Sequence, residues 1–418
     1  MYDLTLENVT SCGTQVGTFA GSAEGLLLSN CTLKGNNTVT WEQNPAGSAY
    51  FETWNGVGAL TGVMSNSTVE NVTIAEGATV TLNYNQMTSA APYVDALTGY
   101  ISAPTGTVVN NGDLIIKNRL VVDATELVEY LASTQAKEIG VVIGEDITDT
   151  TIKLPATLNN VTISANEGVK LVNSTIMASD GNAVHYDGLT FDGLTFENSR
   201  ISFTGWRTGG AVYKNLTVKN CVFRNLNDTS NSAPLHINVA ATEAVENLTF
   251  KNNVIDGATG GSKSGVYAQV TGKTLFTDNV INNVSFRPYV IQVTVDDGIA
   301  DEFIVTGNTF SGSAAGRAQG LGNNSEGTDT VKLVVSGNIF KDITNAQQIC
   351  YWNFNAETTT ADLSKNYYDI DITKNTSGIY YNKSASSVED LVEMGVYPFY
   401  TELNADGTIN TDSLVENK

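Results

Sequence analysis

The polar side chains best suited to chemistry stand at matching places in five short segments. The segments are LHINV, VYAQV, VIQVT, RAQG and AQQI, which begin at residues 235, 266, 290, 317 and 346. Apolar residues alternate with polar ones in the first three, which predicts strands whose amides point outward. Amides satisfy sugar hydroxyl groups as donors and as acceptors, and aromatic rings stack on sugar rings. The pattern therefore indicates chemistry that suits recognition of a glycan.

Six residues of these segments are predicted to form one outward strip for an extended, largely uncharged glycan. They are His236, Tyr267, Gln269, Gln292, Arg317 and Gln319. Tyr267 would supply ring stacking, and Arg317 would give a local positive charge that tolerates an occasional acidic sugar. The alternative, which the pattern itself favours, is a structural ladder in which the amides pair from strand to strand.

Candidates for catalysis are confined to the segment VTVDDGIAD and one nearby arginine. Hydrolysis of a glycosidic bond needs two carboxylates about 5–9.5 Å apart, one of them protonated. Asp296 and Asp297 are the adjacent acids beside the strip, and Arg287 is the neighbouring cation. Gly298 follows them directly, which favours a solvated turn. No catalytic constellation is evident, so an enzyme is the less favoured interpretation.

The cysteines and histidines do not have the spacing of a metal site. The four cysteines lie far apart in the sequence, and the chain has only two histidines, His185 and His236. A zinc site needs closely spaced cysteines with histidine partners. We therefore predict small buried core thiols at Cys12, Cys31, Cys221 and Cys350, with no metal and no cofactor. Calcium could bridge an acidic ligand, but the sequence does not indicate it.

The net charge restricts the partners. The chain has 44 acidic and 22 basic residues, which gives a formal net charge of -22. Such a field repels nucleic acid, anionic membranes and acidic polysaccharides. No apolar run is long enough to cross a bilayer. The expected partner is a carbohydrate or another ligand at a host or cell surface, without nucleic acid and without membrane insertion.

A repeated phrase shows which elements position these side chains. NLTVKNCVFRN at residues 215–225 returns as NLTFKNNVIDG at 247–257, and looser copies follow. Its key asparagines are Asn198, Asn220, Asn252, Asn279, Asn308 and Asn338, with Asn366 as a weaker member. Alternating apolar residues in repeats of 20–50 residues predict strands stacked as a parallel β-helix. The asparagines would stack inside it, each side-chain amide bonding the next.

With this phrase the chain resembles the right-handed parallel β-helices of the pectin lyase-like superfamily over roughly residues 113–384. The resemblance implies an all-β solenoid whose N-terminal mouth is closed by a short helix. The segment Asp123–Ser133 fits that helix, because Asp123 is a candidate N-cap with Glu126 three residues later. The superfamily includes lyases, hydrolases, adhesins and non-catalytic proteins, so the resemblance does not select an activity.

A second repeat occupies residues 1–112 and has a different period. VGTFAG and SNCTL at residues 16–33 return as VGALTG and ENVTI at 57–74, a shift of 41 residues. DALTG at 95–99, with Asn111, is a looser third copy. These glycine-punctuated phrases resemble the GLUG motif of bacterial surface proteins. Residues 385–418 are predicted to form a C-terminal cap or tail, with a helix near Ser387–Gly395.

The sequence as a whole predicts a secreted or cell-surface bacterial β-helix protein of the adhesin or glycan-binding type. The alternative is a polysaccharide lyase or glycoside hydrolase that acts on a plant or host glycan. Because the sequence opens inside a repeat phrase, we expect a monomeric piece of a longer parent chain.

Overall fold

The structure is a computed structural model of the chain, and it confirms the all-β fold class. It describes residues 1–41, 56–65, 67–83, 93–95, 98–101, 105–110, 113–116, 119–121, 123–132, 140–181, 183–205, 210–228, 233–294, 297–313, 318–322, 327–342 and 348–416. Strands make up 52% of the chain, which forms a parallel β-solenoid of about 11 turns with two short helices in its described part. Among these residues, no helix has the length and apolar character needed to cross a membrane.

The chain divides into two compact units, Met1–Gly144 and Glu145–Lys418. The division into 1–112, 113–384 and 385–418 that the sequence indicates is a division by repeat type, and it stays a prediction.

The described part of the first unit consists of short strands and one helix. Its strands are β1 Thr5–Glu7, β2 Thr10–Gly13, β3 Gln15–Val16, β4 Ala20–Glu24, β5 Leu27–Ser29, β6 Thr32–Lys34, β7 Asn36–Trp41, β8 Gly56–Gly58, β9 Thr61–Ser65, β10 Thr68–Ile74, β11 Thr79–Asn83, β12 Tyr93–Asp95, β13 Thr98–Ile101, β14 Thr105–Asn110, β15 Asp113–Ile116, β16 Arg119–Val121 and β17 Val141–Ile143. The helix α1, Ala124–Ala132, lies between β16 and β17 in the sequence.

Parallel pairing in this unit confirms the predicted shift of 41 residues. β3 pairs with β8, β4 with β9 and β5 with β10, all in a register of 41 residues. The Asn71 amide donates to the Asn30 side-chain oxygen at 3.2 Å, so these two repeat asparagines stack. β12 and β13 add the third copy in a register of 37 residues. Asn111 of that copy lies outside the described residues.

The glycines of this repeat lie where neighbouring coils come very close. A Cβ added at Gly17 would be 2.5 Å from the Leu60 carbonyl oxygen, and one at Gly62 would be 2.2 Å from the Val16 nitrogen. Side-chain carbons do not approach backbone atoms so closely, so glycine is required for the coils to pack. Beneath this contact lies an apolar core that includes Leu28, Leu60 and Val72, all without exposed surface.

The predicted helix is present as α1. The Asp123 carboxylate accepts a hydrogen bond from the Glu126 backbone N–H at 2.8 Å, which confirms Asp123 as the N-cap. Leu127 and Leu131 of this helix are buried. β16 and β17, on either side of the helix in the sequence, pair in parallel. Its role as a cap stays a prediction.

The second unit holds the remaining elements. Its strands are β18 Ile147–Thr148, β19 Thr151–Lys153, β20 Thr157–Asn159, β21 Thr162–Ala165, β22 Lys170–Val172, β23 Thr175–Met177, β24 Val184–Asp187, β25 Thr190–Asp192, β26 Thr195–Glu197, β27 Arg200–Thr204, β28 Ala211–Lys219, β29 Val222–Arg224, β30 Leu235–Asn238, β31 Val245–Lys251, β32 Val254–Asp256, β33 Val266–Thr277, β34 Val280–Asn282, β35 Tyr289–Val293, β36 Asp301–Thr306, β37 Thr309–Ser311, β38 Ala318–Gly322, β39 Val331–Ser336, β40 Ile339–Lys341, β41 Ile349–Trp352, β42 Thr359–Asp362, β43 Tyr367–Tyr368, β44 Ile379–Tyr381, β45 Lys383–Ser384, β46 Phe399–Tyr400 and β47 Leu414–Val415. A 3₁₀ turn spans Ala241–Glu243, and the helix α2, Val388–Glu393, has a capping box between Ser387 and Asp390.

The strands of this unit stack in parallel, one coil on the next. One sheet contains β18, β22, β26, β29, β32, β34, β37, β40, β43, β46 and β47, and the longer strands belong to a second sheet. Inside the stack, aromatic rings repeat from coil to coil. Phe250 lies 5.0 Å from Phe276, and Phe310 lies 5.1 Å from Phe340, measured between ring centroids. The antiparallel pairs β44–β45 and β46–β47 occur at the C-terminal end of the sequence.

An asparagine ladder runs through the interior, as the repeat predicts. Its members are Asn253, Asn279, Asn308, Asn338 and Asn366, each at most 1% exposed. From Asn253 to Asn338, each backbone N–H donates to the side-chain oxygen of the next member at 2.9–3.0 Å. The Cys221 N–H donates to Asn253 in the same way, at 2.9 Å. The ladder therefore joins six successive coils through one corner.

The prediction that Asn198, Asn220 and Asn252 belong to this interior ladder is wrong. These three asparagines lie at the surface with φ of +46°, +55° and +54°, the left-handed conformation that asparagine tolerates. The Asn252 amide donates to the Asn220 side-chain oxygen at 2.7 Å, so these two residues belong to an outer ladder, whereas the Asn198 amide donates to the Asn173 side-chain oxygen at 2.9 Å. In the doublet Asn252–Asn253 it is the second residue that turns inward.

Candidate functional site

The predicted strip begins on three neighbouring strands of the second unit. On β30 and β33, His236 pairs with Tyr267, and Gln269 pairs with Gln292 of β35. Interior residues such as Ile237 and Ala268 separate these side chains and have no exposed surface. The alternation of the sequence thus places His236, Tyr267, Gln269 and Gln292 on one outward side of the sheet.

Gln319 does not lie where the alignment of the amides placed it. It pairs with Val290 rather than Gln292, and it is only 1% exposed. A slip of two residues keeps every side chain on the same face of a strand, so alternation alone could not detect it. The strip is therefore shorter than predicted on this side. Arg317 lies outside the described residues.

The amides bond along the strip, as the structural alternative predicts. The Gln269 side-chain oxygen accepts a hydrogen bond from the Val239 N–H at 2.6 Å. Its amide nitrogen donates to the Gln292 side-chain oxygen at 3.3 Å. An amide has two donor hydrogens and two acceptor lone pairs, so this ladder leaves Gln269 one of each for a ligand.

Two rings lie beside the amides. His236 and Tyr267 are half-buried and meet edge to face, with ring centroids 5.3 Å apart. The Tyr267 hydroxyl makes no hydrogen bond with the described part of the chain. Three coils after Tyr267, Trp352 pairs with Leu321, and its ring lies 5.9 Å from that of Tyr380. This side of the sheet thus offers partly exposed aromatic surface at two places.

Sequence reasoning missed an ionic cluster beside His236. The Asp228 carboxylate bonds both the Arg200 guanidinium and the Lys263 ammonium, the latter at 2.5 Å, and Lys263 has no exposed surface. Burial and the charges of Arg200 and Lys263 lower the pKa of His236 to about 4. His236 is therefore neutral at physiological pH. No motif joins these residues, because loops of different length bring them together.

Of the catalytic candidates, Asp297 and Arg287 are described and Asp296 is not. The Arg287 guanidinium stacks on the Phe286 ring, 4.0 Å from its centroid. Asp297 lies in the segment before β36, where its Oδ1 accepts a hydrogen bond from the Ile299 N–H at 2.9 Å. That short-range bond fits the solvated turn that the sequence favours.

Asp297 also lines a pocket that the sequence did not predict. The pocket has a volume of about 250 Å³ and opens beside β28, β33 and the turn Ala241–Glu243. Its lining includes Val212, Lys214, Glu246, Thr271, Asp297 and Ile299. The Lys214 ammonium and the Glu246 carboxylate form an ion pair at 2.6 Å, which raises the pKa of Lys214. Of the two acids in this lining, only Asp297 lacks a cation partner there.

A second aspartate lies directly behind Asp297. The Thr271 hydroxyl donates to Asp297 Oδ2 at 2.5 Å and lies 3.5 Å from Asp301 Oδ1. Asp301 is 4% exposed, its Oδ1 accepts from the Gly272 N–H at 2.7 Å, and its Oδ2 has no partner in the described chain. Burial, followed by the charges of Asp297 and Asp329, raises the pKa of Asp301 to about 7.

The cysteines and acids provide no further centre within the residues that the structure describes. No group of three histidine, cysteine or acidic residues is placed to hold a metal ion there. Cys31, Cys221 and Cys350 are buried, as predicted, and burial raises the pKa of Cys221 to about 12. The prediction is wrong for Cys12, which is exposed. It lies on β2, the last strand in its sheet order, at a position that points outward.

No family model, no curated protein and no solved structure matches this chain. The likenesses to the pectin lyase-like superfamily and to the GLUG motif therefore remain resemblances of sequence pattern.

Proposed function

We propose that this protein binds a carbohydrate through the side of the second unit that carries Tyr267, Gln269 and Gln292. The observation that carries the proposal is the juxtaposition of a paired amide ladder and a half-buried tyrosine on adjacent strands. Sugar-binding surfaces need the same two features, a flat apolar ring and groups that both donate and accept hydrogen bonds. The pocket at Thr271 extends the surface along β33.

The charge of the chain selects the kind of glycan. A net charge of -22 opposes acidic polymers, so the ligand is an extended and largely uncharged chain. A protein of this kind acts as an adhesin or glycan-binding module, secreted or held at a cell surface. In this proposal it is a monomer, and it needs no cofactor.

The catalytic alternative, a lyase or hydrolase, gains less support. A glycosidase needs a protonated acid and a second carboxylate that both reach the sugar. Within the lining of the pocket, Glu246 is neutralised by Lys214, so Asp297 has no second acid of the required kind there. We therefore propose binding without bond cleavage.

Replacement of Tyr267 tests the proposal. We expect Tyr267→Ala to lower retention on an array of neutral glycans by roughly tenfold, because stacking contributes about 0.5–1.5 kcal/mol besides the contact area lost. The melting temperature should stay close to that of the wild type, since Tyr267 is only half-buried. Tyr367→Ala is the matched control, because Tyr367 is also half-buried but lies on β43 in the other sheet. Equal retention by both variants and the wild type contradicts the proposal.

A further inference from the structure

We propose that the pocket beside the strip holds a sugar ring bearing a protonated amine, with its ammonium group on Asp297. The inference rests on the proposed function, because it names the kind of residue that the bound glycan places in the pocket. The inference goes beyond the proposed function because it assigns a positive charge to the sugar in the pocket.

The pocket is of a size for one ring. Its volume of about 250 Å³ is below the roughly 300–1,000 Å³ of pockets that hold drug-sized ligands. Val212 and Ile299 give it apolar surface, and Thr242 and Thr271 give it hydroxyl groups. A mixed lining of this kind suits a pyranose, which has apolar C–H faces and a polar rim.

The pocket continues the strip. Gln269 and Thr271 both lie on β33, two residues apart, which is about 6.6 Å along a strand. The turn Ala241–Glu243, whose first two residues line the pocket, comes three residues after Asn238 of β30. One glycan chain can therefore place one ring in the pocket and the next ring over the amides.

The charges around the pocket favour a cation. Lys214 and Glu246 cancel each other at 2.6 Å, which leaves Asp297 as the net charge of the described lining. Behind it lies another acid, Asp301, which is 96% buried and whose Oδ2 has no partner in the described chain, so no cation offsets Asp297 from that side. Asp329 adds to the negative charge, since its carboxylate accepts a hydrogen bond from the Gly298 N–H at 2.8 Å. An ammonium group would balance this charge, whereas a carboxylate or sulfate would be repelled.

Binding of an amine at Asp297 should release a proton from Asp301. The two carboxylates are joined through the Thr271 hydroxyl, and an added positive charge favours the ionised form of the buried acid. The other charged groups that face Asp301 are Asp297 and Asp329, both acids, so neither can replace the incoming cation.

The two lysines near the next residue of β36, Glu302, do not supply a cation to the pocket either. The Glu302 carboxylate already bonds the ammonium groups of Lys273, at 3.2 Å, and Lys332, at 2.8 Å. These three groups hold one another along the adjacent corner of the coil. The proton of Asp301 is therefore the charge that responds to the ligand.

The experiment compares two sugars with the same backbone, one carrying free amines and the other carrying neutral acetamido groups in their place. A tetrasaccharide of β-1,4-linked glucosamine and its fully N-acetylated counterpart are titrated into the protein by calorimetry at about pH 6, below the pKa of about 7 of Asp301. We expect the amine form to bind about tenfold more tightly, the gain of one charge-assisted hydrogen bond. In two buffers of different ionisation enthalpy, the wild type should release a proton that Asp301→Asn does not release.

Two variants distinguish binding of the amine at Asp297 from the general attraction of any cation to an acidic protein. Asp297→Asn should remove the preference for the amine form, whereas Glu389→Gln, an exposed acid on α2, should keep it. Circular dichroism checks that both variants fold. A preference that survives in Asp297→Asn, or is lost equally in Glu389→Gln, overturns the inference.

The outcomes also separate this inference from the proposed function. If both tetrasaccharides bind equally and Tyr267→Ala still lowers glycan retention, the amine site is wrong and glycan binding stands. If no glycan of any kind binds, the proposed function fails, and the inference fails with it.

Discussion

At the scale of single residues, the asparagines show how one residue type performs two tasks in this solenoid. Asn279 is fully buried, and its amide donates to the Phe250 carbonyl at 2.9 Å and to the Asn308 side chain at 2.8 Å. Asn252 is exposed, and asparagine suits its position because it tolerates a φ of +54°. The interior role is a hydrogen-bonding role, and the outer role is mainly a conformational one.

Replacement of these two residues should therefore have different effects. Asn279→Leu removes partners from the Asn253 N–H, the Phe250 carbonyl and Asn308, and each unpaired buried group costs about 1–3 kcal/mol. We expect a clear drop in the melting temperature of the second unit. Asn252→Gly keeps the positive φ and loses one exposed hydrogen bond, so it should change stability by less than about 1 kcal/mol. Similar melting temperatures for the two variants would show that Asn279 is not part of a buried ladder.

Asp301 predicts a pH dependence of stability. Its pKa is raised from 3.8 to about 7 in the folded protein, so the folded state binds the proton more tightly than the unfolded state. The stability that this proton provides is fully present below about pH 4 and is lost as the pH rises through 7. Each unit of pKa shift corresponds to about 1.4 kcal/mol. Asp301→Asn, which cannot ionise, should be more stable than the wild type at pH 8, with the advantage shrinking toward pH 5.

Thermal melts of both proteins across this pH range give the measurement. Taking the difference between variant and wild type removes the effect of the overall negative charge, which acts on both. A difference that does not change between pH 5 and pH 8 would show that Asp301 titrates normally.

At the scale of elements, close packing of coils in the first unit depends on glycine. β4 and β9 lie in a register of 41 residues, and Gly62 of β9 faces the backbone of Val16. The 2.2 Å distance from an added Cβ to the Val16 nitrogen cannot be relieved by turning a side chain, since both partners are backbone. With any side chain at position 62, the two coils could pack only at a larger separation.

Gly62→Ala should therefore destabilise the first unit. Overpacking in a well-packed site costs about 1–3 kcal/mol, and a contact with backbone belongs at the upper end. Gly25→Asn is the control, because Gly25 has a φ of +65° that asparagine accepts and no atom lies within 4 Å of an added Cβ. Denaturant unfolding of both variants measures the effect. Equal unfolding midpoints would mean that the two coils are not packed as described.

At the scale of the whole molecule, charge and architecture act together on the choice of ligand. The solenoid repeats one outward position on successive strands, which produces an extended surface rather than a single deep cleft. The net charge of -22 opposes the approach of polyanions to that surface. On the glycan array, the same balance should leave acidic polysaccharides unbound by the wild type.

The fold class and its periodicity could be predicted from the order of amino acids alone. Strand alternation identified the outward positions of His236, Tyr267, Gln269 and Gln292, and the shift of 41 residues gave the register of β5 on β10. These features are local or strictly periodic, since each coil must present matching groups to its neighbour. The helix α1 was predictable for the same reason, because its N-cap and its apolar residues lie within one short segment.

Which residues share a site could be seen only in the folded chain. Gln319 does not belong to the strip, because its strand pairs two residues away from the predicted register. A shift of two residues keeps every side chain on the same face, so the sequence pattern does not reveal it. The pocket aspartates Asp297 and Asp301 both contact Thr271, although no sequence pattern links these positions. In the same way, Asp228 forms ion pairs with Arg200 and Lys263, and the three residues belong to different coils. Burial then sets the charge of His236 and Asp301, because the cost of ionisation depends on surroundings that are distant in the sequence.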